Sequence, residues 1–194
     1  MPVEKKYTEV IWYGRGGQGA ITASQIIAEA AYLEGYRGVT TAPSFGAERR
    51  GAPVAAFLRL SHEPIRIFSQ VRNPDIIVVL DPTLLQELDL QNTSSGDVTL
   101  ILNSKKTPDE LFLRGYRRIG VADITSVSLE NSLTLAGVAI LNTPILGAFV
   151  KITGLVSLPS VEQIISQKFP GEKADLNIRT ARIIYETTRV YDYN

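Results

Sequence analysis

The sequence predicts an α/β fold: an open, mainly parallel, doubly wound sheet with a β-hairpin insertion and a helical C-terminal third. Three observations carry this. Short β-branched and aromatic runs alternate with helix-period stretches along the first two thirds of the chain. Two of those runs, Ile76–Leu80 and Val98–Leu102, are almost wholly apolar, as strands buried on both faces require. The last third carries helix patterns separated by proline and glycine. At 194 residues the chain has room for one sizeable domain, 1–194, and no linker divides it.

Each element has a local reason. Thr8–Tyr13 is rich in β-branched and aromatic residues and reads as the first strand. It runs directly into Gly14-Arg-Gly-Gly-Gln-Gly19. Ala20–Glu34 is helical, with Ala20, Ala23, Ile27, Ala30 and Ala31 on one stripe small enough to approach a sheet closely, and Gly35 stops it. Tyr36–Thr41 is then a second strand, a βαβ start that predicts neighbouring parallel strands. Ala42–Gly51 reads as a loop. Pro53–Leu60 and Pro64–Phe68 read as two strands of a hairpin turning at Ser61-His-Glu63.

Asp75–Leu80 and Asp97–Leu102 are buried strands, with a short helix from Asp81-Pro82 to Leu88 between them. Thr107-Pro-Asp-Glu110 is a capping box with proline at the first helical position, so a short helix closed by Gly115 is expected, and Arg117–Val121 returns to the sheet. Leu129–Leu141 and Pro144–Ile152 read as helices. Ser160-Val-Glu-Gln163 is a second capping box, opening a helix that stops at Phe169-Pro-Gly171. The last helix runs from Lys173 to Val190, with Ala181, Ile184, Thr188 and Tyr191 recurring at helical spacing.

Composition excludes more than it assigns. With no cysteine, the chain alone builds no disulfide, thiol nucleophile, Cys-type zinc site or Cys-ligated iron–sulfur cluster. The single histidine, His62, argues against a His-cluster metal site or a His-based triad and reads as a surface residue. Redox or covalent chemistry would need a cofactor or another chain. Lys plus Arg and Asp plus Glu both number 20, so the basic excess of a nucleic-acid binder is missing. No apolar run reaches the roughly 20 residues of a membrane span, and no targeting segment is visible, so a cytoplasmic protein is expected.

Two loops carry candidate chemistry. Gly14, Gly16 and Gly19 match G-x-G-x-x-G between a strand and a helix, where backbone N–H groups and a helix N-terminus can approach a phosphate or another main chain. A nicotinamide site would also need an acid at the end of the second strand, but that strand ends Thr40-Thr-Ala-Pro43. No Gly-Lys-Ser/Thr follows, so the loop is not a Walker A. A tight turn packing strand on helix explains the glycines alone; Arg15 and Gln18, which such a turn does not need, favour a ligand. The second loop is Pro43-Ser-Phe-Gly-Ala-Glu-Arg-Arg-Gly51. Arg49 and Arg50 suit phosphate or carboxylate oxygens, with Glu48 to orient one of them; the other reading is a solvated charge cluster. Asp81 either caps the following helix or faces the crevice.

With both loops in hand, the chain resembles the gamma subunits of the 2-oxoacid:ferredoxin oxidoreductases. The matching residues are Trp12-Tyr-Gly-Arg-Gly-Gly-Gln-Gly19, Ser44-Phe-Gly-Ala-Glu-Arg-Arg-Gly-Ala-Pro53, Asn73-Pro-Asp-Ile-Ile-Val-Val-Leu-Asp81 and Asn142-Thr-Pro-Ile-Leu-Gly147, in order over nearly the whole chain. Gly-Ala-Glu-Arg-x-Gly-Ala-Pro resembles the pyruvate and branched-chain members; the 2-oxoglutarate type tends toward Gly-Pro-Glu-x-Arg-Gly-Gly, so Ala47, Ala52 and Pro53 point away from it. The resemblance implies a complex that decarboxylates a 2-oxoacid oxidatively, forms an acyl-CoA and passes electrons to ferredoxin. It implies alpha, beta and delta partners that hold thiamine diphosphate, magnesium and iron–sulfur clusters, and a gamma chain that binds none of these alone. What remains for this chain is assembly and a share of the coenzyme A site, for which the candidates are Gly14, Arg15, Gly16, Gly17, Gln18, Gly19, Ser44, Glu48, Arg49 and Arg50.

Overall fold

The computed structural model describes residues 7–43, 51–67, 69–92 and 96–193. In chain order the elements are β1 (Thr8–Arg15), α1 (Ala20–Leu33), β2 (Gly38–Pro43), β3 (Pro53–Ser61), β4 (Ile76–Val79), α2 (Leu84–Glu87), β5 (Thr99–Asn103) and β6 (Arg118–Ala122). They continue with α3 (Ile124–Glu130), β7 (Thr134–Leu135), β8 (Val138–Ala139), α4 (Pro144–Thr153), α5 (Leu158–Lys168), α6 (Glu172–Thr187) and β9 (Arg189–Asp192). The main sheet has the order β2-β3-β1-β4-β5-β6-β9. Its centre, β1-β4-β5-β6, is parallel. β3 runs antiparallel to both β1 and β2, and β9 antiparallel to β6. The expected open α/β sheet is thus present, parallel at its centre, with antiparallel strands added at both sides that make it mixed.

Alternation along the strands separates two cores. On one face Val10, Trp12, Leu58, Leu60 and Val78 meet the alanine stripe of α1 and the apolar sides of α4, α5 and α6. Trp12 is fully buried and stacks on Phe149 with ring centroids 5.1 Å apart, which makes it a core residue. On the other face Ile77, Val79, Leu100 and Val121 meet Leu84 and Leu85 of α2 and Leu113 and Tyr116 of the following loop. The chain leaves β1 toward the first face through α1 and leaves β4 toward the second through α2. The carboxyl ends of these two parallel neighbours are therefore a switch point, where an open α/β sheet has its crevice.

Five local expectations fail for identifiable reasons. The hairpin is β2–β3, not the pair around Ser61-His-Glu63: Gly38 pairs with Ser61 and Pro43 with Ala56. Consequently β3 lies between β1 and β2, which are not neighbours. Residues 64–67 form no strand; the Glu63 carbonyl and Ile65 cross over Gly38, where an added Cβ would lie 2.2 Å from that carbonyl oxygen. His62 is exposed there and stacks on Tyr36. The Thr107 capping box forms, with the Thr107 N–H donating to Glu110 Oε2 at 2.7 Å, but it closes a single turn. Phe112 then takes φ 56°, which ends helical geometry and buries Leu113.

The helix expected over Leu129–Leu141 is α3 followed by the β7–β8 hairpin. Its start was missed at Asp123, whose carboxylate accepts from the Ser126 N–H at 3.1 Å. Ser132, Ala136 and Gly137 have positive φ, which breaks the helix and turns the hairpin. The N-cap of α5 lies three residues before the expected one, because Ser157 and not Ser160 caps it, its side chain accepting from the Ser160 N–H. Finally, α6 stops at Thr187 and the last residues form β9, whose Arg189–Asp192 run pairs with Val121–Arg118.

A candidate ligand crevice at the carboxyl ends of β1 and β4

The glycine loop lies at the switch point, as its position between β1 and α1 requires. Gly19 has φ 81°, and a Cβ there would lie 2.6 Å from Asn142 Nδ2, so the residue is glycine both for its backbone and for this contact. Asn142 begins the segment leading into α4, which explains why Asn142-Thr-Pro-Ile-Leu-Gly147 accompanies the glycine loop in the sequence. Thr143 and Asn177 are buried and hydrogen-bonded to each other, tying the start of α4 to α6. The Gly16 N–H donates to the Ala52 carbonyl at 2.9 Å, and the Gly51 N–H returns to the Gly16 carbonyl. The glycine loop and the end of the second loop thus share one rim.

Arg15 and Gln18 are tied into that rim. Gln18 Oε1 accepts from the Arg15 N–H at 2.8 Å, and Gln18 Nε2 donates to Asp81 Oδ2 at 2.9 Å. Arg15 Nη2 donates to Glu87 Oε2 at 2.8 Å and to Thr83 Oγ1, Nη1 donates to the Gly51 carbonyl, and Nε lies 3.3 Å from Asp81 Oδ2. The hydrogen bond to Glu87, then the Asp81 charge, holds the Arg15 guanidinium above its ordinary pKa. Asp81 plays both parts open to it. Its Oδ1 accepts from the Thr83 N–H and hydroxyl, shaping the turn before α2, while Oδ2 faces Gln18 and Arg15 across the crevice. Thr83 and Glu87 were invisible as site residues in the sequence; only the Asp-Pro-Thr turn after a buried strand hinted at them.

These contacts set the electrostatics. Among the described residues the Arg15 charge is met by two carboxylates, Asp81 and Glu87, while the N-terminal end of α1 carries the positive end of its dipole at this rim. Ser44, Glu48, Arg49 and Arg50 lie outside the described residues. Burial alone would raise the Asp81 pKa, but the bonds from Thr83 and Gln18 and the Arg15 charge outweigh it and hold the carboxyl below its ordinary range. A carboxyl lowered in the fold stabilises it fully above its unfolded pKa, about 3.9, and loses that contribution as pH falls through the lowered value. Melting temperature measured from pH 6 to pH 2.5 should therefore fall less steeply for Asp81→Asn than for the unaltered chain. Parallel curves would contradict the assignment.

Comparison with known proteins gives this crevice a context. Residues 9–187 match the pyruvate ferredoxin/flavodoxin oxidoreductase family. The common gamma subunit of the pyruvate/ketoisovalerate oxidoreductases of Pyrococcus furiosus is 44% identical over 187 residues, 95% of this chain and 98% of that protein. Pyruvate synthase subunit PorC of Methanothermobacter marburgensis is 45% identical over 178 residues, 92% of this chain and 96% of that one. The crystal structure of pyruvate oxidoreductase subunit PORC of Thermotoga maritima superposes with a TM-score of 0.82 at 39% identity, covering 97% of this chain and 100% of that one. Matched over more than nine-tenths of its length in sequence and fold, the chain belongs to the pyruvate ferredoxin/flavodoxin oxidoreductase family and is a gamma-type subunit within it.

Proposed function

We propose that this chain is the gamma subunit of a pyruvate:ferredoxin oxidoreductase, a pyruvate synthase. The complex converts pyruvate and coenzyme A to acetyl-CoA and carbon dioxide and delivers two electrons, one at a time, to ferredoxin. The observation that carries this reading is the 44–45% identity to pyruvate-acting gamma and PorC subunits over nearly their full length. Alpha, beta and delta subunits are its partners. We assign thiamine diphosphate, magnesium and iron–sulfur clusters to those partners, as the resemblance implies. This chain has no cysteine for a cluster, and the described residues contain no cluster of three His, Asp or Glu that would hold a metal.

Coenzyme A is different. Its ADP end is anionic, and the rim offers the Gly17 and Gly19 N–H groups and the first turn of α1; the sequence adds Arg49 and Arg50, immediately before Gly51, as candidates for its phosphates. The chain contributes part of this binding surface and the contacts that hold it rigid. A purely structural role is the second reading, favoured by Arg15, which is spent on Asp81 and Glu87. No helix of the described residues is long and apolar enough to cross a membrane, and we assign the complex to the cytoplasm.

Substrate choice is tested by kcat/KM of the assembled complex for pyruvate, 2-oxoisovalerate and 2-oxoglutarate. Pyruvate is expected first and 2-oxoisovalerate next, the latter in keeping with the ketoisovalerate enzyme that shares the Pyrococcus gamma subunit. A clear preference for 2-oxoglutarate refutes the assignment.

A further inference from the structure

We propose that a cleft at the opposite rim of the sheet, over Arg59 and Arg72, binds an oxyanion: the carboxylate or phosphate group of a small ligand. Glu9 and Arg59 face each other across β1 and β3 and are 8% and 5% exposed. Arg59 Nε donates to Glu9 Oε1 at 2.8 Å. No other hydrogen bond or ion pair joins this guanidinium to the described residues. Its two Nη atoms are nevertheless not sealed in, since Trp12 Nε1 is the one fully buried side-chain polar atom without a partner among the described residues. Arg59 lines a cleft of about 420 Å³ together with Arg72, Ser69 and Gln70.

A guanidinium carries five N–H donors, and the single end-on bond to Glu9 leaves the Nη fork without a hydrogen bond to any described residue. A buried charge in that position is costly unless hydrogen-bonded, and the fork matches two oxygens of a carboxylate or phosphate. The surrounding groups are polar and donor-rich rather than apolar, and Arg72 is exposed, able to close on a ligand from the outside. Among the described residues, the charges lining the cleft are Arg59, Arg72 and Glu9, which sum to one positive. Asp75 lies behind the strand end, its Oδ2 accepting from the Glu9 N–H, and does not line the cleft. Six residue steps along β1 separate Glu9 from Arg15, about 20 Å of strand, so this site is distinct from the glycine crevice.

The test is calorimetric titration of the full chain with inorganic phosphate and, separately, with succinate. Saturable binding of at least one probe is expected, weakened tenfold or more by Arg59→Lys and by Arg72→Gln. Arg72→Gln removes an exposed charge without touching the buried pair, so the result does not depend on how well Arg59→Lys folds. Tighter binding of phosphate supports the site with a phosphate ester as its ligand; tighter binding of succinate supports it with a carboxylate. Absence of saturable binding for both probes overturns the proposal, as does binding that Arg72→Gln leaves intact.

Discussion

In the assembled complex, Arg50→Ala is expected to raise the KM for coenzyme A roughly ten- to a hundredfold while the KM for pyruvate stays nearly unchanged. The magnitude follows from losing a charge-assisted phosphate contact of about 1.5–3 kcal/mol. The selectivity follows from the rim. Gly16 pairs with Ala52, and Arg15 reaches the Gly51 carbonyl, so the end of the arginine-bearing loop is joined to the glycine loop beside the start of α1. Arg15 is already met by Asp81 and Glu87, which is why the test is placed on the second loop and not on Arg15. Steady-state kinetics with each substrate varied in turn decide it. A variant complex that dissociates while its coenzyme A kinetics remain intact would make the loop an assembly contact instead.

Gly147→Ala should be the most damaging single-methyl change in the helical layer. A Cβ at this position would lie 2.0 Å from the Ala181 carbonyl oxygen and 2.8 Å from the Tyr185 nitrogen. Both are backbone atoms of α6, so no side chain can rotate away; α4 and α6 must separate. Overpacking of this kind costs up to about 3 kcal/mol, which for a domain of this size lowers Tm by roughly 6–12 °C. Separation would also disturb the buried Thr143–Asn177 contact and, through Asn142, the wall against which Gly19 rests. Thermal melting of the purified variant measures the cost. An unchanged Tm would mean that the helices are not packed as described.

The sheet was legible in the sequence where burial alone dictates the pattern. Ile76–Leu80 and Val98–Leu102 are apolar because both of their faces are covered, and the stripe on α1 is small because it lies directly on Trp12 and Leu58. What escaped was decided by pairing between distant segments. Nothing local in Pro53–Leu60 says that it inserts between β1 and β2, and β9 becomes a strand only because the edge of β6 is there to receive it. The β7–β8 turn depends on Ala136 taking φ 50°, which helix-period counting does not detect. The glycine loop was legible as a motif, but the reason for Gly19 lies 123 positions away in Asn142. Arg15 and Gln18 stood out as residues that a tight turn does not need; their partners Thr83 and Glu87 became visible only once β4 was placed beside β1.

The most direct measurement is reconstitution. Pyruvate- and coenzyme A-dependent reduction of a viologen dye is followed for the partner subunits alone, for this chain alone, and for the two combined. With no cysteine the chain cannot ligate an iron–sulfur cluster by itself, and under the proposed function it supplies the coenzyme A rim and assembly contacts to partners that carry the redox centres. Reduction is expected only in the combined sample, with acetyl-CoA as its product. Turnover by this chain alone, or turnover by the partners that its addition does not increase, would contradict the account.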